Sequence, residues 1–224
     1  MLNTQLRKFA RTKWDGLFCS KRFKKLTLGT AGDKWTIVDN GLMERVYSGG
    51  VGHDISFELD LVKKFNSDVY LFDPSPTGIL TIKRFESIKN IKFFDFGLSK
   101  IDGYERFYTP KDILEGSFSI DPSAGRGDFF EFKVRRLSTL ANEYNHFYID
   151  VIKLDIEGSE YGVIDDILES DIVVRQICLE FHHFFKNGSR FRTLCTIVKL
   201  YINGYIIVHK NGSEYTFLKS KIDL

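Results

Sequence analysis

Three charged side chains stand close together in the segment IDVIKLDIEGSEYGVI, residues 149–164. They are Lys153, Asp155 and Glu157, and the alternation of a β-strand places all three on one face. Charged groups are costly at the end of a buried strand unless they are paired or functional. One interpretation is an ion pair of Lys153 with either acid, with the acids also favouring the start of the next helix. We favour a catalytic cluster, because other candidate site residues are predicted at the same edge of the sheet.

A second group of ionisable residues ends the next apolar run, in CLEFHH at positions 178–183. It contains Glu180, His182 and His183. His182 is a candidate general base, because histidine titrates near neutral pH. Neighbouring histidines and acids also raise the question of a metal ion, but their spacing gives no clear metal-site pattern, and we predict no metal. For His183 we favour an ordinary hydrogen-bonded role.

Three glycines, Gly49, Gly50 and Gly52, stand within four positions in VYSGGVGHD, residues 46–54. They separate a short β-branched and aromatic run from a stretch with helical periodicity. A glycine-rich turn at this point exposes backbone N–H groups and a helix N-terminus to a ligand. The spacing does not match the G-x-G-x-x-G dinucleotide fingerprint. A tight strand-to-helix turn without a ligand is therefore the alternative interpretation.

Asp73 strengthens the ligand interpretation of the glycine turn. It ends the second predicted strand, in VYLFD, 23 residues after Gly50. An acid at that point is placed to accept hydrogen bonds from both hydroxyls of an adenosine ribose. The alternative is an aspartate that caps the turn DPSP. Glycine turn and acid together favour a nucleoside ligand.

Strand and helix signals alternate along the chain and predict a doubly wound, mostly parallel α/β sheet. Short runs rich in Val, Ile, Phe and Tyr predict strands at 45–48, 68–73, 90–96, 148–156, 173–181 and 205–210. Helical spacing is found at 55–65, 78–88, 137–144, 159–168 and 189–203. The terminal GYIIVHKNGSEYTFLK contains the Asn-Gly signal of a hairpin, which predicts an antiparallel edge strand.

Composition narrows the class of protein. The 224 residues are 43% hydrophobic and 28% charged, as in ordinary globular domains, and the net charge of +2 gives no indication of nucleic-acid binding. The three cysteines are widely spaced and predict neither a disulfide framework nor a zinc site. No apolar run approaches the length of a membrane span, and no signal peptide is recognised, so we expect a cytoplasmic protein.

Two segments stand apart from this pattern. Residues 1–40 are predicted to form a basic, helical extension, with eight basic residues and one acid between positions 7 and 25. Such a helix either contacts an anionic membrane or a phosphorylated partner, or packs its apolar stripe on the domain. Residues 115–128, EGSFSIDPSAGRGD, predict a long loop that either folds over a substrate or is a solvated excursion.

Together these motifs resemble class I S-adenosylmethionine-dependent methyltransferases, specifically the FkbM-like family in its methyltransferase-like branch. The most specific carrier is residues 149–164, which match a signature of Lys, Asp, Glu-Gly and a second Glu. RRLSTLANEY, VYSGGVGHDISFELDL, VYLFDPSP and RQICLEFHH are similar to other segments of the family. The resemblance covers roughly residues 44–218, so we assign residues 41–224 to the methyltransferase domain.

The resemblance implies a seven-stranded sheet and S-adenosylmethionine as the cofactor. It places the three glycines at the methionine part of the cofactor, Asp73 at the ribose, and Gly97 and Leu98 near the adenine. Asp155 and Glu157 then border the methyl-transfer site, with Lys153 and His182 in the catalytic set. The family mostly methylates oxygen, so the implied acceptor is a hydroxyl of a sugar, glycan or small molecule.

One position departs from the class I pattern. An acid normally stands two residues before the first glycine of the turn, where this chain has Tyr47. Asp54 or Glu58, at the following helix, is expected to supply the missing charge. Ser48, directly before the glycines, completes the candidate cofactor-binding set.

Two other functions remain as alternatives. The first is an oxidoreductase or epimerase that binds NAD on a Rossmann sheet, which the glycine spacing and the lysine–acid cluster disfavour. The second is a non-catalytic module that keeps the fold and uses its basic N-terminus to bind a membrane or protein partner.

Overall fold

A computed structural model of the chain describes residues 19–110, 116–182 and 189–220, with residues 124–127 described through their backbone alone. The strands are β1 (Lys25–Leu28), β2 (Trp35–Val38), β3 (Arg45–Gly49), β4 (Asp68–Phe72), β5 (Ile91–Phe94), β6 (Gly97–Leu98), β7 (Gly103–Pro110), β8 (Gly125–Arg135), β9 (Tyr148–Leu154), β10 (Val173–Glu180), β11 (Tyr205–Asn211) and β12 (Glu214–Lys219). The helices are α1 (Ser56–Phe65), α2 (Pro76–Ile82), α3 (Leu137–Tyr144), α4 (Glu160–Glu169) and α5 (Arg190–Ile202). Most of the predicted basic segment and His183 lie outside the described residues.

Seven strands form the central sheet in the order β11-β12-β10-β9-β3-β4-β5. The neighbours from β10 to β5 pair in parallel, whereas β12 is antiparallel to both β10 and β11. The predicted seven-stranded, mostly parallel sheet with one antiparallel strand is confirmed. The antiparallel strand was predicted at the edge of the sheet, but it lies one place in, because β11 pairs with its outer side.

The sheet is apolar on both faces, as parallel strands covered by helices must be. Val46 and Val151 pack into the core on one face, and their neighbours Tyr47 and Ile152 pack into the core on the other. All four side chains are fully buried. These two cores fix the strands rigidly beneath the loops that follow them.

The order of the strands defines where a ligand site is expected. From β3 the chain continues outward through β4 and β5, whereas β9, on the other side of β3, leads outward to β10. Open α/β sheets bind ligands at the carboxyl ends of the strands where the order reverses in this way. The turns after β3 and β9 therefore meet at the switch point.

Part of the predicted N-terminal extension has a different structure from the one expected. Residues 25–38 form the antiparallel pair β1–β2, not a helix. Trp35 and Ile37 are buried beside Phe57 of α1, so this hairpin is part of the domain core. The sequence did not predict β1 and β2, because each strand is only four residues long and the surrounding lysines are typical of a solvated helix.

A second small sheet, of order β6-β8-β7, flanks the loop predicted at 115–128, and only the first residues of β8 fall within that loop. The antiparallel pair β7–β8 includes Phe107 opposite Phe130. The helix predicted at 78–88 is shorter, since α2 begins at a Ser75 cap and ends at Ile82. Across the residues that the structure covers, no helix is long and apolar enough to cross a membrane.

Candidate cofactor and active site

A cavity of about 380 Å³ opens at the switch point of the sheet. This volume is in the range of sites for small ligands and cofactors. The predicted cofactor residues in its wall are Gly50, Gly52, Asp54, Asp73, Gly97 and Leu98, and the predicted catalytic residues there are Lys153, Asp155 and Glu157. Ser48, Gly49 and His182 are not among the lining residues.

Gly50 is the position of the turn at which any side chain would clash with the backbone of the neighbouring strand end. Its φ is +86°, a left-handed conformation that favours glycine. A Cβ atom at this position would lie 1.9 Å from the carbonyl oxygen of Asp155. The glycine thus lets the turn after β3 pass directly against the end of β9, which brings the two halves of the site together.

Asp73 holds the glycine turn in place. Its Oδ2 accepts hydrogen bonds from the backbone N–H groups of Val51 at 2.8 Å and Gly52 at 3.1 Å. Its Oδ1 accepts one from the N–H of Ser75 at 2.7 Å. Asp73 therefore caps its own turn, as one interpretation of the sequence held, and also anchors the turn after β3.

A buried ionic cluster lies beneath the same turn. Lys153 Nζ is 2.8 Å from Asp33 Oδ1 and 3.3 Å from Glu58 Oε1, and it donates to the carbonyl oxygen of Gly50 at 3.1 Å. Ser48 Oγ donates to Glu58 Oε1, which explains why Ser48 is buried away from the cavity. One interpretation of the sequence paired Lys153 with Asp155 or Glu157. Its close partners are instead Asp33 of the β1–β2 hairpin and Glu58 of α1.

The pKa values of this cluster follow from burial and charge. Burial alone would lower the pKa of Lys153, but the carboxylates of Glu58 and Asp33 outweigh it and raise that pKa. Burial is also the largest influence on Glu58 and raises its pKa, against the opposing effect of Lys153. Lys153 is therefore a permanent cation that supports the turn through Gly50.

Replacing Lys153 with methionine is expected to destabilise the fold by about 3–5 kcal/mol, because it leaves a buried carboxylate unpaired. Urea unfolding followed by circular dichroism measures the change. The double variant Lys153→Met/Asp33→Asn also removes the charge of the closer of the two carboxylates and is expected to recover part of the loss. A change below about 0.5 kcal/mol in the single variant would contradict the structural role of the cluster.

Asp54, expected to supply charge toward the cofactor, has both carboxylate oxygens engaged. Its Oδ2 accepts a hydrogen bond from Thr30 Oγ1 at 2.6 Å, and its Oδ1 accepts one from the N–H of Ser56 at 2.8 Å. Burial raises the pKa of Asp54, but these hydrogen bonds outweigh it and the net pKa is lowered. Asp54 is thus an anion at the cavity wall at neutral pH.

Tyr47, in the position usually held by an acid, faces away from the cavity. It is fully buried among Tyr70, Phe72 and His146, and its hydroxyl lies 2.8 Å from His146 Nδ1. The tyrosine that replaces the usual acid is therefore a core residue and not part of the cavity wall. Asp33 and Asp54 are acids that line the cavity beside the turn.

His146 gives the fold a dependence on pH. Burial, followed by the charges of Arg45 and Lys92, lowers the pKa of His146 from 6.5 to about 4. As the pH falls, His146 therefore takes up a proton in the unfolded chain at a higher pH than in the folded chain. The free energy of unfolding is highest above pH 6.5 and decreases progressively as the pH falls towards 4. The loss amounts to about 2–3 kcal/mol. Urea unfolding at several pH values should show that the unfolding free energy of His146→Gln falls less steeply with decreasing pH than that of the natural chain. Equal pH dependence in the two proteins would show that His146 is not the cause.

The predicted catalytic acids and His182 come together beside the cavity. His182 Nε2 lies 3.3 Å from Glu157 Oε2 and 3.7 Å from Asp155 Oδ1. Its Nδ1 lies 2.6 Å from Oε1 of Glu160, a fully buried residue of α4. Glu160 also accepts hydrogen bonds from the N–H groups of Ile156 and Gly158, so it fixes the turn after β9.

Burial and mutual repulsion shape the ionisation of this group. Burial raises the pKa of Asp155 to about 7 and also raises the pKa of Glu157. Burial lowers the pKa of His182, but Glu160 first, and then Glu157 and Asp155, outweigh it and raise that pKa to about 10. In the absence of another cation His182 carries a proton at neutral pH, which leaves the carboxylates as the proton acceptors.

The predicted long loop contributes to the same site. Ser119 Oγ donates to the carbonyl oxygen of Glu157 at 2.6 Å, and the N–H of Ile120 donates to the same oxygen at 3.3 Å. These bonds hold Glu157 at a φ of +51°, a conformation that is costly for a residue with a side chain. Ser117 and Phe118 line the cavity, so this part of the segment forms part of its wall.

Sequence analysis missed Asp33 and the aromatic residues Phe107 and Phe118 of the cavity wall. Asp33 lies in a segment assigned to an extension, and nothing in the sequence connects it to Lys153, 120 positions away. The alternation of aromatic residues in β7 and β8 was a usable strand signal for the second sheet. Glu160 was visible as the second Glu of the signature at 149–164, but its contact with His182 was not.

Comparison with known proteins places the chain in a family. Residues 5–217 match the family described as "Methyltransferase domain". "Probable methyltransferase-like protein 24" of Rattus norvegicus and of Homo sapiens are each 34% identical over 50 residues, which is 21% of this chain and 14% of either relative. The solved "METTL16 MTase domain" aligns with a TM-score of 0.44 and 10% identity, over 82% of this chain and 62% of that one. Since the family match spans nearly the whole sequence, the chain belongs to the methyltransferase-domain family.

Proposed function

We propose that this chain is an S-adenosylmethionine-dependent methyltransferase that methylates a hydroxyl oxygen of a sugar, glycan or small molecule. The observation that carries the proposal is the cavity at the switch point, where an anchored glycine turn faces the group Asp155, Glu157 and His182. The motif at 149–164 supports membership of the FkbM-like branch. We also keep the expectations of a cytoplasmic protein that binds no nucleic acid and of a peripheral membrane contact through residues 7–25.

Three features of the cavity wall support binding of the cofactor there. At Gly52 a Cβ atom would meet nothing within 4 Å, so open space adjoins the turn where the methionine part is proposed to bind. Asp73 has one lone pair left on Oδ1 after its three hydrogen bonds, and this is the acceptor we assign to the ribose. Gly97 and Leu98 provide a small and an apolar surface for the adenine.

The residues of the chain have three tasks in the reaction. The cofactor, when bound, supplies a methyl group on a positively charged sulfur, and the turn after β3 and Asp73 hold it in a fixed orientation. The segment containing Ser117 and Phe118, which line the cavity, is proposed to limit access of water and so to favour in-line alignment of the acceptor oxygen. Asp155 or Glu157 accepts the proton of the hydroxyl, and the charge of His182 stabilises the carboxylate group.

Release of the demethylated cofactor product tests the proposal directly. The purified chain is incubated with S-adenosylmethionine and a panel of hydroxylated acceptors, which includes monosaccharides, glycans and phenols. Acceptor-dependent formation of S-adenosylhomocysteine, together with a methyl ether detected by mass spectrometry, supports it. Methylation only of nitrogen acceptors in a parallel panel would contradict the assignment to oxygen.

A thermal-shift comparison of S-adenosylmethionine with NAD separates this function from an oxidoreductase or epimerase. Stabilisation by S-adenosylmethionine alone is expected, because a ligand raises the melting temperature only when it binds the native state. Stabilisation by NAD alone would favour the oxidoreductase. Stabilisation by neither, in a folded sample, would favour a non-catalytic module.

A further inference from the structure

Three side chains at the rim of the cavity form a compact set of ligand atoms. One atom each of Asp155, Glu157 and His182 lies within 4.8 Å of the other two. The two acids come from the turn after β9, and His182 follows the neighbouring strand β10. The set is therefore built across two adjacent strand ends that the sheet holds in register.

The orientation of His182 suits a metal ligand. Glu160 binds its Nδ1, so Nε2 is directed at the two acids, at 3.3 Å and 3.7 Å. Ligand atoms about 2.1 Å from a metal and at right angles to each other are about 3.0 Å apart, a little closer than the two distances from Nε2 found here. A histidine whose second nitrogen is held by a carboxylate is the usual support of a metal-bound imidazole.

The charge of the group also favours a cation. Three carboxylates, Asp155, Glu157 and Glu160, surround one imidazole. The nearest lysine on β9, Lys153, forms its ion pairs with Asp33 and Glu58 instead. A divalent cation bound between Asp155, Glu157 and His182 would compensate two of these negative charges.

We propose that Asp155, Glu157 and His182 bind one divalent cation of the Mn²⁺ or Mg²⁺ class, which coordinates the hydroxyl of the methyl acceptor. Two carboxylates and one imidazole form a mixed oxygen and nitrogen ligand set that such ions accept. Asp155 and Glu157 line the cavity, so the open coordination positions face the place proposed for the acceptor.

The role in transfer rests on the proposed function. The bound cation lowers the pKa of the hydroxyl, whose proton passes to the second oxygen of Asp155. The acceptor oxygen then forms a bond to the methyl carbon while the bond from that carbon to sulfur breaks. The electron pair of the broken bond stays on sulfur, which leaves the neutral thioether product, and the proton is later released to water.

Titration with Mn²⁺ followed by electron paramagnetic resonance tests the metal site without any methyl transfer. The natural chain is expected to bind one Mn²⁺, and both Glu157→Gln and His182→Ala are expected to weaken binding at least tenfold. Glu131→Gln is the matched control, because Glu131 is an exposed acid on β8 that pairs with Arg106. Circular dichroism establishes whether each variant is folded. If His182→Ala is unfolded, the result for Glu157→Gln alone decides the test.

The possible results are distinct for the two proposals. Loss of Mn²⁺ binding in the site variants but not in the control supports the cation site, whether or not S-adenosylmethionine binds in calorimetry. Absence of Mn²⁺ and Mg²⁺ binding in a chain that binds S-adenosylmethionine would overturn the cation site and leave the methyltransferase proposal intact. Binding that is equal in all variants would also overturn the site.

Discussion

Replacing Gly50 with alanine is expected to abolish binding of S-adenosylmethionine and to destabilise the fold by at least about 3 kcal/mol. Two effects add at this position. The backbone has a φ of +86°, and the new Cβ would lie 1.9 Å from the carbonyl oxygen of Asp155. Since neither backbone can withdraw without breaking the junction between β3 and β9, the turn must move away from the cavity. Calorimetric titration and urea unfolding measure the two consequences.

Gly52→Ala is the matched control for the measurement of stability. Its φ of +52° is also left-handed, but a Cβ there meets nothing within 4 Å. We expect a destabilisation of about 1 kcal/mol, which is the cost of the conformation alone. Equal losses of stability in the two variants would show that the close approach of Gly50 to Asp155 does not contribute to the destabilisation of Gly50→Ala.

Replacing Asp73 with alanine is expected to weaken S-adenosylmethionine binding at least ~30-fold, because charge-assisted hydrogen bonds are lost. The carboxylate has two roles in this account. It accepts the N–H groups of Val51 and Gly52, which shape the turn, and it is proposed to accept a ribose hydroxyl. Its removal leaves buried N–H groups without partners, so unfolding free energy should also fall by about 1–3 kcal/mol.

Asp68→Ala provides the control for Asp73, since Asp68 is an exposed acid at the opposite end of the same strand, β4. Its affinity for the cofactor is expected to equal that of the natural chain. An Asp73→Ala variant that keeps normal affinity would contradict the placement of the cofactor at this turn. Loss of stability without loss of affinity would restrict Asp73 to its structural role.

Much of the central sheet follows from the sequence because its strands are continuous apolar runs with clear boundaries. The helix at Ser56–Phe65 and the hairpin of β11 and β12 were predicted within one or two residues. The carboxyl-edge position of Gly50, Asp73 and Asp155 followed from the same reasoning, since parallel strands end on one side of a sheet.

Contacts between distant segments could not be predicted in the same way. Strand alternation placed Lys153 with Asp155 and Glu157, but β9 ends at Leu154, and the acids belong to the turn beyond it. Lys153 therefore meets Asp33 and Glu58, which come from elements that only tertiary packing brings to it. The geometry of Glu160 and His182 likewise depends on how α4 packs beside the end of β10.

The central claim is that the turn after β3, anchored by Asp73, is a cofactor site. Calorimetric titration of the folded chain with S-adenosylmethionine and with S-adenosylhomocysteine tests it most directly. We predict one binding event per chain with each compound, at micromolar dissociation constants, and loss of both in Gly50→Ala. Absence of heat with both compounds, in a sample whose cooperative unfolding shows that it is native, would contradict the claim.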